Sequence, residues 1–417
     1  MTGIGILMLA ALVAAGTVTA VLLRRRRRPG PTAVDGPAIA VPTFRVVALG
    51  LSGSGKTLLL TSMYRRLSTP GDRGFFVRAP YQQLIELNRW YAQIADPGTE
   101  WPRGTSRGEM REFEFDVLAP AGERATPVVR LGYLEYPGEL LTDQDAPGST
   151  AQARLLEAIA GADALIGIVD GLRVRQALLG EARGRVALQT ALDAMVHSML
   201  TANCPIAFVV TKWDLLDDLE ADENTRLGLV RELLMTVDGF RDLVRLQGAR
   251  RILRLVPVTA VGHDFAVLDA GEVRKRPHGM LRPSNVDVPL SAVVPDALQQ
   301  LEFALDHATR EAVVAEARRR LRMRPLEAVQ TLGEFVAQHA GKLLVNALGG
   351  GLVTSSVLGL YADAQVAAGP DPRHAVLTEA DRRADELIRA RRHVLNGLRH
   401  RVSVLEATLP NSRLGPW

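Results

Sequence analysis

The stretch GLSGSGKT, from Gly50 to Thr57, decides how the rest of this sequence is interpreted. It follows an apolar run, residues 45–49, that is typical of a buried strand. It precedes apolar side chains at Leu59, Met63 and Leu67, a spacing that predicts a helix. A glycine-rich turn between a strand and a helix is the context in which the pattern GxxxxGKT forms a phosphate-binding loop.

Each part of this loop has a physical role. Glycines let backbone N–H groups curve around phosphate oxygens, and the helix N-terminus adds a partial positive charge. Lys56 is predicted to reach the β- and γ-phosphates as a catalytic residue, and the Thr57 hydroxyl is predicted to bind Mg²⁺. The loop residues predicted to bind nucleotide are Gly50, Ser52, Gly53, Ser54, Gly55, Lys56, Thr57 and Leu58. The sequence therefore predicts binding of a nucleoside triphosphate.

Composition limits the other possibilities. With 417 residues and 47% hydrophobic content, the chain has room for two or three domains with a substantial core. Its formal net charge of +4 is small for this length, so no nucleic-acid partner is expected. The single cysteine, Cys204, cannot form an internal disulfide. We expect a buried, inert thiol there and a reducing compartment for most of the chain.

The first 23 residues carry no charged side chain and are long enough to cross a bilayer as one helix. Five arginines, residues 24–28, follow directly. The positive-inside rule then predicts a single-pass membrane protein with its N-terminus outside and the rest cytoplasmic. A cleaved export signal is the alternative, although such a signal places its positive charge before the apolar region. Residues 24–43 are predicted to be a basic linker rich in proline and glycine.

The alternation of apolar runs and helical periodicity predicts an α/β fold. Strands are expected at residues 45–49, 112–118, 127–134, 164–169, 205–210 and 252–258, and helices at 81–94, 151–160 and 184–200. This order is typical of a doubly wound, mostly parallel sheet, with its site at the carboxyl ends of the strands.

The strand at residues 127–134 ends in the sequence EYPGE, residues 135–139. An acidic residue followed by two others and a glycine is found where P-loop enzymes hold Mg²⁺ through water. Glu135 is therefore a predicted metal ligand, and the backbone N–H of Gly138 is predicted to sense the γ-phosphate.

The strand at residues 205–210 leads into Thr211, Lys212, Trp213 and Asp214. The Asp214 carboxylate can accept two hydrogen bonds from the N1–H and amine of guanine, which adenine cannot supply. The Lys212 stem can lie along the purine, and a backbone N–H of Thr259 or Ala260 can meet guanine O6. A solvated strand end without a role is the alternative for these residues.

With these motifs, residues 44 to about 261 resemble a Ras-like GTPase domain of the translation-factor-related class of P-loop GTPases. The turn at residues 135–139 is also similar to that of the YcjX-like bacterial P-loop NTPases. The resemblance implies a threonine in the first switch that binds Mg²⁺ and supports catalysis, and Thr105 is the candidate. A loop threonine without a role is the alternative.

Three positions depart from the family's pattern. Glu135 stands where aspartate is usual, and Thr211 replaces the asparagine that supports the loop beside Asp214. Glu139 replaces the glutamine that orients the attacking water, and its charge would repel the γ-phosphate. The resemblance therefore implies a catalytic set of Lys56, Thr105 and Glu139 with slow intrinsic hydrolysis.

The resemblance places a GTPase domain at residues 44–322, followed by a helical region at 323–417. Residues 262–294 contain three prolines and are interpreted as a long loop, with a helix starting at Pro295. Within that loop, Lys275, Arg276 and His278 are expected to be solvated charges rather than ligand or partner contacts.

Two features mark the helical region. Residues 343–362 lack charge, and we favour a buried or interfacial hairpin over a membrane span there. Residues 378–409 carry apolar side chains at 3.5-residue spacing, which predicts a seam that packs against another helix. That helix could belong to this chain, to a second copy or to a protein effector.

The leading hypothesis from the sequence is a membrane-anchored switch that binds GTP and GDP with Mg²⁺ and hydrolyses GTP. Two alternatives stay open. The first is a nucleotide-binding scaffold with little hydrolysis that recruits partners through its helical tail. The second is an ATPase in which Asp214 has no role.

Overall fold

The computed structural model describes residues 41–104, 110–121, 124–136, 150–200, 202–269, 271–299, 306, 308–315 and 372–415. No helix within these ranges is long and apolar enough to cross a membrane. The predicted anchor at 1–23, almost all of the linker, the boundary at 322–323 and the uncharged segment at 343–362 lie outside the described residues.

The strands of the described residues are β1 Thr43–Leu49, β2 Phe76–Arg78, β3 Arg111–Ala121, β4 Arg124–Glu135, β5 Ala164–Asp170, β6 Ile206–Thr211, β7 Leu253–Pro257, β8 Ala266–Asp269, β9 Glu272–Lys275 and β10 Arg413–Leu414. The helices of eight or more residues are α1 Lys56–Leu67, α2 Tyr81–Ala95, α3 Thr150–Ala160, α4 Gly171–Leu178, α5 Ala182–Met199, α6 Glu223–Met235, α7 Asp238–Gly248, α8 Val288–Gln299 and α9 Pro372–Thr408.

One sheet organises these elements, with the strand order β10-β7-β6-β5-β1-β4-β3-β2. β1 pairs in parallel with β4 and β5, and β6 pairs in parallel with β5 and β7. The pairs β3–β4, β2–β3 and β7–β10 are antiparallel. The prediction of a mixed α/β fold with a mostly parallel sheet and a C-terminal helix is confirmed.

Helices cover both faces of the central strands. Every residue of β6 is buried, and so is all of β5 except Asp170. Since successive side chains of a strand point to opposite faces, burial of all of them requires cover on both sides. The local pattern of a central strand is therefore an uninterrupted apolar run, which is why these strands were predictable from sequence.

The seam of α9 packs against the chain's own residues. The apolar seam positions Ala384, Ile388, Leu395, Leu398, Val402, Leu405 and Leu409 are all buried. Helix α9 contacts α8, β3 and β4, and its N-terminal half packs against Val313 and Val314. Of the three possible partners of this seam, the structure therefore shows the chain itself.

Buried ion pairs fasten α8 and α9 to the sheet. Arg254 on β7 donates from Nε to Glu406 on α9 at 2.8 Å and from a terminal nitrogen to Asp296 on α8 at 3.0 Å. Arg401 on α9 holds the buried Asp287, directly before α8, through two bonds of 2.9 and 3.1 Å. Bidentate pairs of this kind fix orientation as well as distance.

The predicted loop at residues 262–294 is wrong in two respects. β8 and β9 form an antiparallel hairpin, and α8 begins at Val288 rather than at Pro295. Proline at position 295 lies inside α8, although its ring removes a helical N–H. Burial of Leu290, Val293 and their neighbours stabilises this helix despite the missing bond.

We expect Arg254→Met to lower the free energy of unfolding by about 2 kcal/mol, because the largely buried Glu406 keeps only its pair with Arg413 and the Ala292 carbonyl loses its donor. Chemical denaturation of the two proteins measures this change. Arg274→Met is the matched control, since its side chain is 59% exposed and its ion pairs are at the surface. The control should change the free energy of unfolding by less than about 0.5 kcal/mol. Equal effects of the two substitutions would contradict the stabilising role of the Arg254 ion pairs.

Candidate functional site

The glycine-rich loop between β1 and α1 has the backbone curvature expected of an anion cradle. Gly53 and Gly55 adopt left-handed φ values of 75° and 88°, which other residues rarely tolerate. Gly55 is also the N-cap of α1, so the first free N–H groups of the helix lie beside the loop. Ser54 N–H donates to the Leu51 carbonyl at 3.2 Å and closes the turn.

Lys56 lies at the first position of α1 and its side chain turns back over the loop. Its ammonium donates to the carbonyls of Gly50 at 2.7 Å and Leu51 at 2.9 Å. The residue is buried yet lines the neighbouring cavity. A buried ammonium held by loop carbonyls places a positive charge beside the free loop N–H groups, which favours an anion.

Thr57 and Glu135 meet at the end of β4. The Thr57 hydroxyl donates to Glu135 Oε1 at 2.6 Å, and Glu135 is only 1% exposed. The other carboxylate oxygen, Oε2, is buried and has no hydrogen-bond partner among the described residues. A desolvated carboxylate oxygen beside a threonine hydroxyl is the type of donor set that a hard divalent cation prefers.

Thr211, at the end of β6, connects the loop to the neighbouring strands. Its hydroxyl lies 2.7 Å from the Ser54 carbonyl and 3.2 Å from the Val169 carbonyl. One hydroxyl proton favours the shorter of these contacts, so the main bond runs to the phosphate-binding loop. The loop support that asparagine supplies in the resembling family is therefore made here by a threonine hydroxyl.

The segment after Thr211 alternates between the cavity and the core. Lys212 has a left-handed φ of 51°, and its ammonium pairs with the Asp170 carboxylate at 2.9 Å. Trp213 is buried on the other side and donates from its indole to Glu223 at 3.0 Å. Lys212 and Asp214 line the cavity as a result.

A close approach at Gly171 allows this arrangement. A Cβ at this position would lie 2.1 Å from the Thr211 carbonyl oxygen and 2.9 Å from that of Lys212. Only glycine lets the start of α4 lie so near the end of β6.

Asp214 lines the cavity and carries one unpartnered acceptor. Its Oδ1 is buried and has no hydrogen-bond partner in the described part of the chain. Burial raises the pKa of the Asp214 carboxyl, and the Thr259 hydroxyl partly offsets this. A desolvated carboxylate beside a cavity favours ligands that donate hydrogen bonds to it.

The two predicted residues after β7 have different positions. Ala260 lines the cavity, and its carbonyl accepts a 2.7 Å bond from the Ser62 hydroxyl of α1, which fixes this peptide. Thr259 is buried behind it, and its hydroxyl accepts from Gly262 N–H at 2.9 Å. The side chain of Thr259 therefore supports the loop and does not line the cavity.

One cavity of about 550 Å³ joins these groups. Its predicted lining residues are Ser52, Gly53, Gly55, Lys56, Thr57, Leu58, Glu135, Thr211, Lys212, Asp214 and Ala260. The glycine-rich loop and Asp214 therefore line the same cavity, so one ligand can contact both. Gly50 and Ser54 lie beneath the loop, and Thr105, Gly138 and Glu139 lie outside the described residues.

The sequence-based prediction missed a wall of this cavity. The additional lining residues are Trp101, Pro102, Gly104, Tyr136, Leu172, Val261, Ala266, Glu272 and Val273. Ala266, Glu272 and Val273 come from the β8–β9 hairpin, whose turn contains Gly271 at a left-handed φ of 85°. Two short runs with alternating side chains around a glycine are a hairpin signal that the proline content of this region obscured.

Comparison with known proteins adds little to this geometry. No protein-family model matches the sequence, and none of the curated proteins matches it either. A solved structure with some similarity is the signal recognition particle receptor SRb-GTP/SRX complex from Chaetomium thermophilum, with 16% sequence identity, 54% of this chain and 92% of that chain covered, and a TM-score of 0.29. At these values, the similarity is no basis for assigning a function.

We expect Thr211→Val to lower the free energy of unfolding by about 1–3 kcal/mol, because the buried Ser54 carbonyl loses its donor while the side-chain shape is kept. Amide hydrogen exchange in the loop should also become faster. Thr190→Val, an exposed threonine on α5, is the matched control and should leave both measurements unchanged. If amide hydrogen exchange in the loop of Thr211→Val occurs at the wild-type rate, the Thr211 hydroxyl does not hold the loop.

Proposed function

We propose that this chain binds GTP and GDP together with Mg²⁺ and hydrolyses GTP slowly as a molecular switch. The observation that carries the proposal is the single cavity between the phosphate-binding loop and Asp214. Ligand pockets for molecules of nucleotide size have volumes of about 300–1,000 Å³, and this cavity of about 550 Å³ lies within that range. A separation of these two groups into different cavities would have excluded the proposal.

The phosphate end would act through fixed positive groups. The loop N–H groups, the N-terminus of α1 and the Lys56 ammonium would bind the phosphates. Lys56 would exchange its bonds to the Gly50 and Leu51 carbonyls for bonds to phosphate oxygens, since the same ammonium cannot satisfy all of them.

The residues at the end of β4 fit a divalent cation. The Thr57 hydroxyl and the unpartnered Oε2 of Glu135 would hold Mg²⁺, directly or through water. Bound Mg²⁺ would neutralise charge that develops on the β- and γ-phosphate oxygens. The longer side chain of Glu135 reaches the Thr57 hydroxyl directly, so the departure from aspartate does not separate the two ligands.

The nucleoside end would select guanine. The unpartnered Oδ1 of Asp214 would accept from the purine N1–H or amine, and the Lys212 stem would lie along the base. Adenine would leave this buried carboxylate without donors, which is the kind of mismatch that gives strong discrimination. The predicted anchor at residues 1–23 would keep the domain at a membrane, a part of the proposal that rests on the sequence alone.

We expect the purified protein to release phosphate from GTP and not from ATP, at a rate well below one per second because Glu139 replaces glutamine. Detergent is used in purification because of the predicted anchor. Single-turnover assays with each nucleotide and Mg²⁺ measure this. Tight GTP binding without phosphate release would instead support the scaffold alternative, and a preference for ATP would reject guanine recognition by Asp214.

The sharpest test of base recognition is Asp214→Asn. We expect GTP affinity to fall about 100-fold, because an amide nitrogen cannot accept the hydrogen bonds from guanine. Affinity for xanthosine triphosphate should rise, since its C2 oxygen accepts from the amide. Equilibrium titration with both nucleotides measures whether the preference changes from GTP to xanthosine triphosphate.

Asp218→Asn is the matched control, because this aspartate follows four residues later and its carboxylate pairs with Arg175. It should leave both affinities unchanged. In the wild type, GTP affinity should weaken as pH falls through the raised pKa of Asp214, at a higher pH than for a solvated aspartate. Unchanged GTP affinity in Asp214→Asn would refute the base assignment.

A further inference from the structure

The β8–β9 hairpin is attached to the end of α2 by one lysine. The Lys275 ammonium donates to the Gln93 carbonyl at 2.5 Å, the Asp96 carbonyl at 2.9 Å and the Thr99 hydroxyl at 3.3 Å. The Glu100 carbonyl is a more distant fourth acceptor at 3.5 Å, so these groups satisfy the three donors of the ammonium. Two of them are at the C-terminal end of α2, where the helix dipole also favours a cation. The expectation that Lys275 is a solvated charge is therefore wrong.

The same ammonium lies against Trp101. It is 4.9 Å from the centroid of the indole, a cation–π distance. The indole N–H donates to the Val273 carbonyl of β9 at 2.8 Å, and Phe265 packs against its edge at 6.2 Å between centroids. The indole is thus held by a cation, a hydrogen bond and an aromatic contact, all of which come from the hairpin or the residue before it.

This contact forms one wall of the cavity, because Trp101 and Val273 both line it. Both residues pack against a small apolar cluster that contains Val261 and Phe265, and Val273 also packs against the main core. Among the described residues, Trp101 packs against the small cluster alone, so its position depends more on its polar fastening.

We propose that Lys275 is a positioning residue for nucleotide retention, which holds Trp101 in the cavity wall and thereby slows release of the bound nucleotide. The inference rests on the proposed function, because it concerns the same cavity. Lys275 does not line the cavity and contacts neither the phosphate-binding loop nor Asp214 among the described residues. Its loss should therefore change the rate of release and leave the preference between bases unaltered.

The test measures dissociation of GDP carrying an N-methylanthraniloyl group from the full 417-residue chain, chased by excess GDP. We expect Lys275→Met to release this nucleotide about tenfold faster with little change in the association rate. Lys275→Arg keeps the cation and should restore most of the slow release. Arg274→Met is the matched control, because Arg274 lies on the same hairpin and forms ion pairs with the exposed Asp269 and Glu272.

A spectroscopic measurement separates positioning from general destabilisation. Energy transfer from tryptophan to the bound fluorophore should fall in Trp101→Phe and, by less, in Lys275→Met, while Trp213 next to Asp214 still contributes in both variants. Trp90→Phe should largely retain it, because Trp90 does not line the cavity. The ratio of GTP to ATP affinity should be the same in Lys275→Met and in the wild type.

The outcomes distinguish this inference from the proposed function. A wild-type protein that binds neither GTP nor GDP would overturn both. A wild type that binds GDP, with a folded Lys275→Met that releases it at the wild-type rate, would overturn the role of Lys275 alone. Faster release in Arg274→Met by the same factor would also overturn it, since the effect would then belong to any hairpin substitution.

Discussion

The hydrogen bond from the Thr211 hydroxyl to the Ser54 carbonyl is the constraint on which the candidate site depends. It joins the phosphate-binding loop to the end of β6 at 2.7 Å. Asp214 follows three residues after Thr211 and is held by the buried Trp213, so the same bond relates Asp214 to the loop. Thr211 and Asp214 both line the cavity, so this bond fixes the position of this part of the wall relative to the loop.

The sheet makes such a short connection possible. In parallel strands, the carboxyl ends of β1, β4, β5 and β6 meet at one edge, and the loops that follow them contribute to one cavity. Gly171 permits the closest approach among these loops, because any side chain there would collide with the Thr211 carbonyl. The polar groups of the site are thus positioned by backbone packing rather than by flexible side chains.

Two structural elements, the β8–β9 hairpin and helix α9, pack against the central sheet and the loops at its carboxyl edge. The β8–β9 hairpin forms part of the cavity wall and is fastened to α2 through Lys275. Helix α9 covers β3 and β4 and reaches β7 through Glu406, so the described C-terminal residues stabilise the sheet that carries the site. The apolar seam positions of α9 are buried by this packing.

The sequence by itself determined the glycine-rich turn between β1 and α1, the central strands and the mostly parallel sheet. Each of these is a local pattern, in which residues a few positions apart share one backbone conformation. Only the tertiary structure decided that Thr211 meets Ser54, 157 residues away, and that Lys275 meets Gln93, 182 residues away. A hydroxyl or an ammonium carries no local signature of a distant partner, because its bond depends on how two packed elements approach each other. For the same reason, the cavity wall at Trp101 and the helix through Pro295 became evident only once burial and long-range packing were known.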